Sequence, residues 1–317
     1  LGTTYLHWVN AAAGDYQSAV FGGTAGTVTV ATGGVTAAGL QFDVTGYTLA
    51  ATGVGKVTLL NSSTPAVNVA TSTTAIVTAP LAGTGGFNKT GLGVMDLRGT
   101  NTITGAVGVT AGALIVGGTL TPAVNVSNAA TLAGVGTISG LVTVASGGNL
   151  APGSSGGVGA SAGVLTGGGG FSLSAGSRLV LEVGGTGAAG YDRVLASGGT
   201  VTLAGDVAVS LFGTYTETVG DKFFVIINNG ANAVSGGFSN AVAGVITFVS
   251  SGLKFSVNYA DNAGSTYGGN GLNNNDVSLT LIAVPEPSGV CLLLGGLSLL
   301  MGLGRGAREI RGEWTRA

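Results

Sequence analysis

Val126-Ser-Asn-Ala-Ala-Thr-Leu132 and Val144-Ala-Ser-Gly-Gly-Asn-Leu150 are one short phrase written twice, 18 residues apart. Leu173-Ser-Ala-Gly-Ser-Arg-Leu179 repeats its form. Val109-Thr-Ala-Gly-Ala-Leu114 is one residue shorter, and its Leu114 again lies 18 residues before Leu132. Each copy runs from an apolar residue through a small polar or glycine stretch to another apolar residue. A step of 18 is too long for a hairpin, but it suits one coil of a β-solenoid. Around the copies, Leu141-Val-Thr-Val144 and Val201-Thr-Leu203 alternate with period two. Alternate Val and Leu therefore face inward and stack on neighbouring coils, while Thr and Ser face water. A β-sandwich also has short alternating strands, but a fixed 18-residue spacing is not expected of one.

Composition points the same way. Gly fills 62 of 317 positions, charged residues are 8% of the chain, and mean hydropathy is +0.55. Disordered chains combine low hydrophobicity with high net charge, and this chain does neither. Lys plus Arg number only 11, too few for a charged helical bundle, and the net charge of −2 leaves no basic stripe for nucleic acid. Val and Thr are β-branched and suit a pleated surface, and Gly and Asn suit its corners. One cysteine, Cys291, allows no internal disulfide, and the single His7 allows no His-rich metal site. No cofactor is expected. The first residue is Leu1, which reads as a processed or truncated start, so export is argued from the other end.

Four regions follow. Residues 1–80 read as less regular β-rich coils, with Phe42 and Tyr47 around a turn. Residues 81–205 form the clearest repeat array. Residues 206–283 hold six of the ten Phe, beside longer strands such as Lys222-Phe-Phe-Val-Ile-Ile227, and read as a cap. An uncapped solenoid end would expose unpaired strand edges. Residues 284–317 form a separate tail.

Phe87-Asn-Lys-Thr-Gly-Leu-Gly-Val-Met-Asp-Leu-Arg-Gly-Thr-Asn-Thr-Ile-Thr-Gly105, continuing to Gly112-Ala-Leu-Ile-Val-Gly-Gly118, resembles the autotransporter-associated β-strand repeat. Lys89-Thr90-Gly91, Asn101-Thr102 and Gly112-Ala113-Leu114 carry the match, with Ile103 where that family usually has an aromatic. Gly136-Thr-Ile-Ser-Gly140, Leu150-Ala-Pro-Gly153, Tyr191-Asp-Arg193, Gly220-Asp-Lys-Phe223 and Asn275-Asp276 are similar to autotransporter passenger sequences. The resemblance implies a right-handed parallel β-helix and no particular enzyme. After Ala283 the sequence has none of the alternating ten-residue segments of a membrane barrel.

In the tail, Val284-Pro-Glu-Pro-Ser288 precedes an apolar run, 289–304, and then Arg305, Arg308, Arg311 and Arg316. Pro285-Glu286-Pro287, one hydrophobic segment and a basic end resemble the PEP-CTERM sorting domain, in that order. Sixteen apolar residues reach about 24 Å as a helix, near the lower limit for crossing a membrane. The arginines would hold their end in the cytoplasm, and the acidic Glu309 and Glu313 dilute them without reversing the bias. The prolines keep the motif extended. The resemblance implies recognition by an exosortase, a membrane transpeptidase-like enzyme, after transient anchoring in the inner membrane.

Chemistry-bearing motifs are sparse. Gly153-Ser-Ser-Gly-Gly157 has the form of a nucleophile elbow, but that needs a strand-to-helix turn and a histidine partner, so it reads as a solenoid turn. Gly268-Gly-Asn-Gly-Leu-Asn273 has the shape of a calcium nonapeptide in one copy, for which Asp261, Asn273, Asn275 and Asp276 would be the weak ligand set. Tyr5, Trp8 and Tyr16 read as anchors of the N-terminal coil, and Cys291 as inert packing. Glycan lyases also use parallel β-helices. They need clustered carboxylates and a nearby base, and the densest spot here is Asp192-Arg193 near Glu182, which reads as one salt-bridged turn. The sequence therefore predicts an all-β right-handed β-helix with a C-terminal hydrophobic helix. It would be exported to the cell surface or matrix and bind polysaccharide or copies of itself, with a lyase-like enzyme as the alternative. No catalytic residue is assigned.

Overall fold

The computed structural model describes residues 17–60, 64–153, 162–248, 251–271 and 274–284. They form an all-β solenoid with three faces, and each coil gives one strand to each face. In the coil that carries Leu114 these are Val107–Val109, Ala113–Val116 and Thr119–Leu120. The next coil supplies Val124–Val126, Thr131–Gly134 and Thr137–Ile138, each pairing in parallel with its counterpart. Among the described residues the only helical element is a 3-10 turn, Ser265–Tyr267. The hydrophobic helix expected at 289–304 lies outside the described residues.

The repeated phrase is the corner between the first and second faces. Leu114 pairs with Leu132, Leu132 with Leu150, and Leu150 with Leu179. Val109, Val126, Val144 and Leu173 align on the other side of the same corner. The chain turns there through one left-handed residue per coil: Gly112, Ala129, Gly147 and Gly176, with φ between 59° and 79°. Left-handed φ costs an L side chain about 1 kcal/mol, which explains why three of the four are glycine.

The 18-residue step holds only in the middle of the chain. Thr131 pairs with Asn149, a step of 18, but Asn149 pairs with Arg178, a step of 29, and Val194 with Ile226, a step of 32. The extra residues leave the coil at the corner between the second and third faces. Such excursions separate Asn149–Pro152 from Val164–Gly167, Arg178–Val183 from Arg193–Ala196, and Asp206–Leu211 from Lys222–Asn228. Strand register survives because a one-residue slip would turn every inward side chain out to water.

Inside, like stacks on like. On the first face the inward ladder runs Leu40, Val67, Lys89, Val109, Val126, Val144, Leu173 and Leu203. On the second, Met95, Leu114, Leu132, Leu150, Leu179 and Val207 follow one another, all buried. Each such side chain contributes about 1.5–3 kcal/mol relative to exposure. Towards the N-terminus Phe21 stacks on Phe42 at 4.4 Å, and Tyr47 meets Phe21 edge-on while its hydroxyl donates to the Gly22 and Thr24 carbonyls.

Parallel winding continues through Asp206–Leu211, Lys222–Asn228 and Ser235–Gly236. On the third face the pairing then changes sense. Lys222–Asn228 takes Asp276–Ala283 as an antiparallel neighbour, followed by Lys254–Asp261 and Val245–Thr247. Phe223 contacts Tyr191, Tyr215 and Phe255, so the rings at this end pack on one another.

Candidate functional site

The outer surface differs from face to face. On the first, Asn88, Gly108, Asn125, Thr143, Ser172, Thr202 and Ser235 stand in register along the axis. On the third, Thr100, Thr119, Thr137 and Thr166 form a threonine column. Beside it, Thr102, Thr121 and Ser139 occupy the next outward positions and are exposed. On the second face the outward line is Ile115, Ala133 and Ala151, apolar and buried as a small cluster apart from the main core. Two faces thus carry uncharged hydroxyl and amide groups repeated about every 4.8 Å. β-Branched threonine holds its hydroxyl and methyl in few rotamers, so the array is fixed before anything binds.

Two polar side chains interrupt the interior, and both belong to motifs on which the autotransporter-associated resemblance rests. Lys89 occupies a ladder position that is otherwise apolar and is fully buried. Its Nζ donates to the carbonyls of Thr90, Gly91 and Ala111 at 2.8–3.1 Å, tying one corner to the next coil. Burial pushes its pKa down to about 8. Asn101 joins three coils: its Oδ1 accepts from Leu81 N at 2.9 Å, and its Nδ2 donates to Gly99 O and Thr119 O at 2.8 and 2.9 Å. Sequence alone did not assign these roles. The available signal was a lysine directly before a left-handed glycine corner.

The sequence-designated residues fall as follows. Pro285, Glu286, Pro287, Arg305, Arg308, Arg311 and Arg316 lie outside the described residues, as do Cys291, His7, Tyr5, Trp8 and Tyr16. The strand Asp276–Ala283 ends just before that tail. No helix among the described residues is long and apolar enough to cross a membrane. Of the Gly153–Gly157 stretch only Gly153 is described, paired with Gly134.

Among the calcium candidates, Asn273 lies outside the described residues and the others are engaged by the protein. Asp261 Oδ2 pairs with Lys222 Nζ at 2.5 Å and accepts from Ser278 at 2.6 Å. Burial pushes its carboxyl up, but the Lys222 and Ser278 contacts outweigh this and hold it below the usual range. Asp276 is buried and accepts Asn228 N and Ala263 N at 2.7 and 2.8 Å. Asn275 donates to Gly230 O and Asn232 O. Among the described residues no three His, Cys, Asp or Glu converge as a metal site.

Asp192 corrects the salt-bridged turn. Among the described residues no ion pair joins it to Arg193. Only 1% exposed, it accepts Gly163 N at 2.8 Å and Glu182 N at 2.9 Å. Burial, with Glu182 adding repulsion, pushes its pKa up to about 7 despite those bonds. Arg193 instead donates to the Ala188 carbonyl and lies 5.6 Å from the Tyr191 ring centre. Adjacent strand residues point to opposite sides, so neighbours in sequence do not face each other there. Asp192 thus fastens the 29-residue coils together by their backbone.

No family model matches the chain. A stretch of 108 residues, 34% of the chain, is 41% identical to the adhesin BmaC autotransporter of Brucella suis biovar 1 (strain 1330). The matched stretch covers 3% of that much longer protein, so the likeness is to a short part of an autotransporter adhesin.

Proposed function

We propose that this chain is an exported, non-catalytic β-helix of the cell surface or extracellular matrix that adheres through its uncharged faces. The observation that carries the reading is the registered hydroxyl and amide array on the first and third faces. Such an array offers many weak, identical hydrogen-bonding positions along an axis, and multivalency turns these into firm retention. The 41% identity to part of a protein named an adhesin supports it. Its partners are extracellular polysaccharide or further copies of the chain, and the coils wind right-handed, the hand that crossovers between parallel strands take.

Delivery is part of the proposal. Pro285, Glu286 and Pro287, the apolar run 289–304 and the four arginines act as a PEP-CTERM-type signal. The apolar run spans the inner membrane as a helix until an exosortase-type enzyme processes the chain.

Two measurements test this. Beads coated with the protein are counted after washing over layers of bacterial cells and over a coat of the same protein. Wild-type beads are retained, and Thr119→Lys/Thr137→Lys beads at least fivefold less, with unchanged melting temperature. Equal retention of both would remove the faces from the account, and no wild-type retention would remove adhesion. For sorting, cells expressing wild type or Pro285→Ala/Glu286→Ala/Pro287→Ala are fractionated and the exported product is weighed intact. Exported wild type lacks Arg316, whereas the variant stays in the inner membrane. Wild type that keeps Arg316 and remains in the membrane contradicts the sorting signal.

A further inference from the structure

One outward line of the second face changes character along the axis. It runs Val94, Ala113, Thr131, Asn149, Arg178, Asp206, each in register with the next. Three small or apolar residues give way to three planar polar groups on successive coils, in a chain with only 8% charged residues. The last three line a cleft of about 260 Å³ at the corner of the first and second faces. Its remaining walls are Gly147, Gly148 and Gly176.

The glycines keep the cleft open. A Cβ on Gly147 would come within 2.4 Å of Asn128 Oδ1, and one on Gly176 within 2.5 Å of Ser146 Oγ, and both have left-handed φ. The backbone beneath is fixed: Arg178 N donates to Gly148 O and Asp206 N to Ser177 O. Beyond Asp206, the Asn240 side chain accepts from Val207 N and donates to Val207 O, closing the strand edge.

Arg178 and Asp206 are register neighbours of opposite charge, yet among the described residues they form no ion pair. Asp206 Oδ1 instead takes the Ser239 hydroxyl. The guanidinium fork thus faces the cleft beside a carboxylate and a carboxamide. Each group presents two coplanar polar atoms, a geometry that matches a pair of neighbouring hydroxyls. The lining carries one positive and one negative charge, so an anionic ligand would meet Asp206 as well as Arg178.

We propose that this cleft binds one unit of a neutral polysaccharide bearing vicinal hydroxyls. Arg178 donates to one hydroxyl pair, Asp206 accepts from another, and Asn149 does both. The inference deepens the adhesive reading and rests on it for the source of the polysaccharide.

The test uses the full chain, with galactomannan as the neutral probe and polygalacturonate as the acidic one, in affinity electrophoresis with melting curves alongside. Wild type is retarded by galactomannan. Arg178→Ala and Asp206→Ala weaken that at least tenfold with melting within two degrees of wild type, and Arg178→Lys, which keeps the charge but not the fork, weakens it nearly as much. Galactomannan binding that is absent in wild type or unchanged in the variants overturns the site. So does preferential, salt-sensitive binding of polygalacturonate through Arg178. Beads carrying Arg178→Ala separate this failure from that of the adhesive reading. If they hold to cell layers as wild type does while galactomannan binding is unaltered, only the cleft is wrong. If wild-type beads do not hold at all, adhesion itself is wrong.

Discussion

The short coils around Leu114, Leu132 and Leu150 and the antiparallel end around Lys222–Asn228 and Asp276–Ala283 are held together in different ways. The short coils are joined by backbone ladders and apolar stacks, with small residues at the corners, so each coil depends on its two neighbours. The antiparallel end depends on polar side chains reaching far along the chain. Asp276 binds the backbone at Asn228 and Ala263, Asn275 binds Gly230 and Asn232, and the Tyr191 hydroxyl accepts from Phe224 N. A repeat can be lengthened or shortened coil by coil. An end closed by such bonds is formed only when residues about fifty apart have met.

Asp276→Ala should break that end. It leaves the buried N–H groups of Asn228 and Ala263 without acceptors, at about 4 kcal/mol. Hydrogen exchange should accelerate from Lys222 to Ala283 while the strands around Leu132 keep their protection. Uniform acceleration would mean that the two regions unfold as one.

Asp192, between the two regions, makes stability depend on pH. Its folded pKa of about 7 lies above the ordinary carboxylate value near 3.8. Between those values the folded chain binds the extra proton, so this contribution is fully present below about pH 4 and is lost as pH rises through 7, on the order of 3 kcal/mol. Urea titrations at pH 4.5 and 7.5 should differ less for Asp192→Asn than for wild type. An equal difference would show that the carboxylate titrates normally.

Lys89 places the cap's kind of polar joint inside the array. Lys89→Met keeps the bulk but leaves three carbonyls without their donor, and should cost about 2 kcal/mol. Chemical denaturation measures it, and no loss would make the three bonds incidental.

The smallest effects belong to the corner. Gly147→Ala forces an alanine into left-handed φ and should destabilise by about 1 kcal/mol, whereas Ala129→Gly at the equivalent place should be neutral or stabilise by a few tenths. Melting curves of both variants check the sign, and two shifts in the same direction would contradict the equivalence of the two corners.

The sequence is legible where the spacing is constant. The 18-residue step predicts the pairing of Leu114, Leu132 and Leu150 because nothing intrudes between those strands. It is silent where excursions lengthen the coil, since Asn149, Arg178 and Asp206 are 29 and 28 residues apart and only register aligns them. Burial of Lys89 is also hidden, because lysine ordinarily sits in water and only the three corner carbonyls make an interior place for it. Asp192-Arg193 looked like an ion pair because adjacency in sequence was taken for adjacency in space.

The fold, the outward ladders and the cleft all rest on coil-to-coil register, which disulfide trapping tests directly. In a Cys291→Ser background, Thr119→Cys/Thr137→Cys joins paired positions on adjacent coils, about 4.8 Å apart and within disulfide reach. Thr119→Cys/Thr166→Cys lies two coils apart, at roughly twice that distance and beyond reach. The account predicts rapid intramolecular oxidation of the first pair and none of the second. Efficient closure of the 119–166 pair, or failure of the 119–137 pair, would contradict the stacking of the coils.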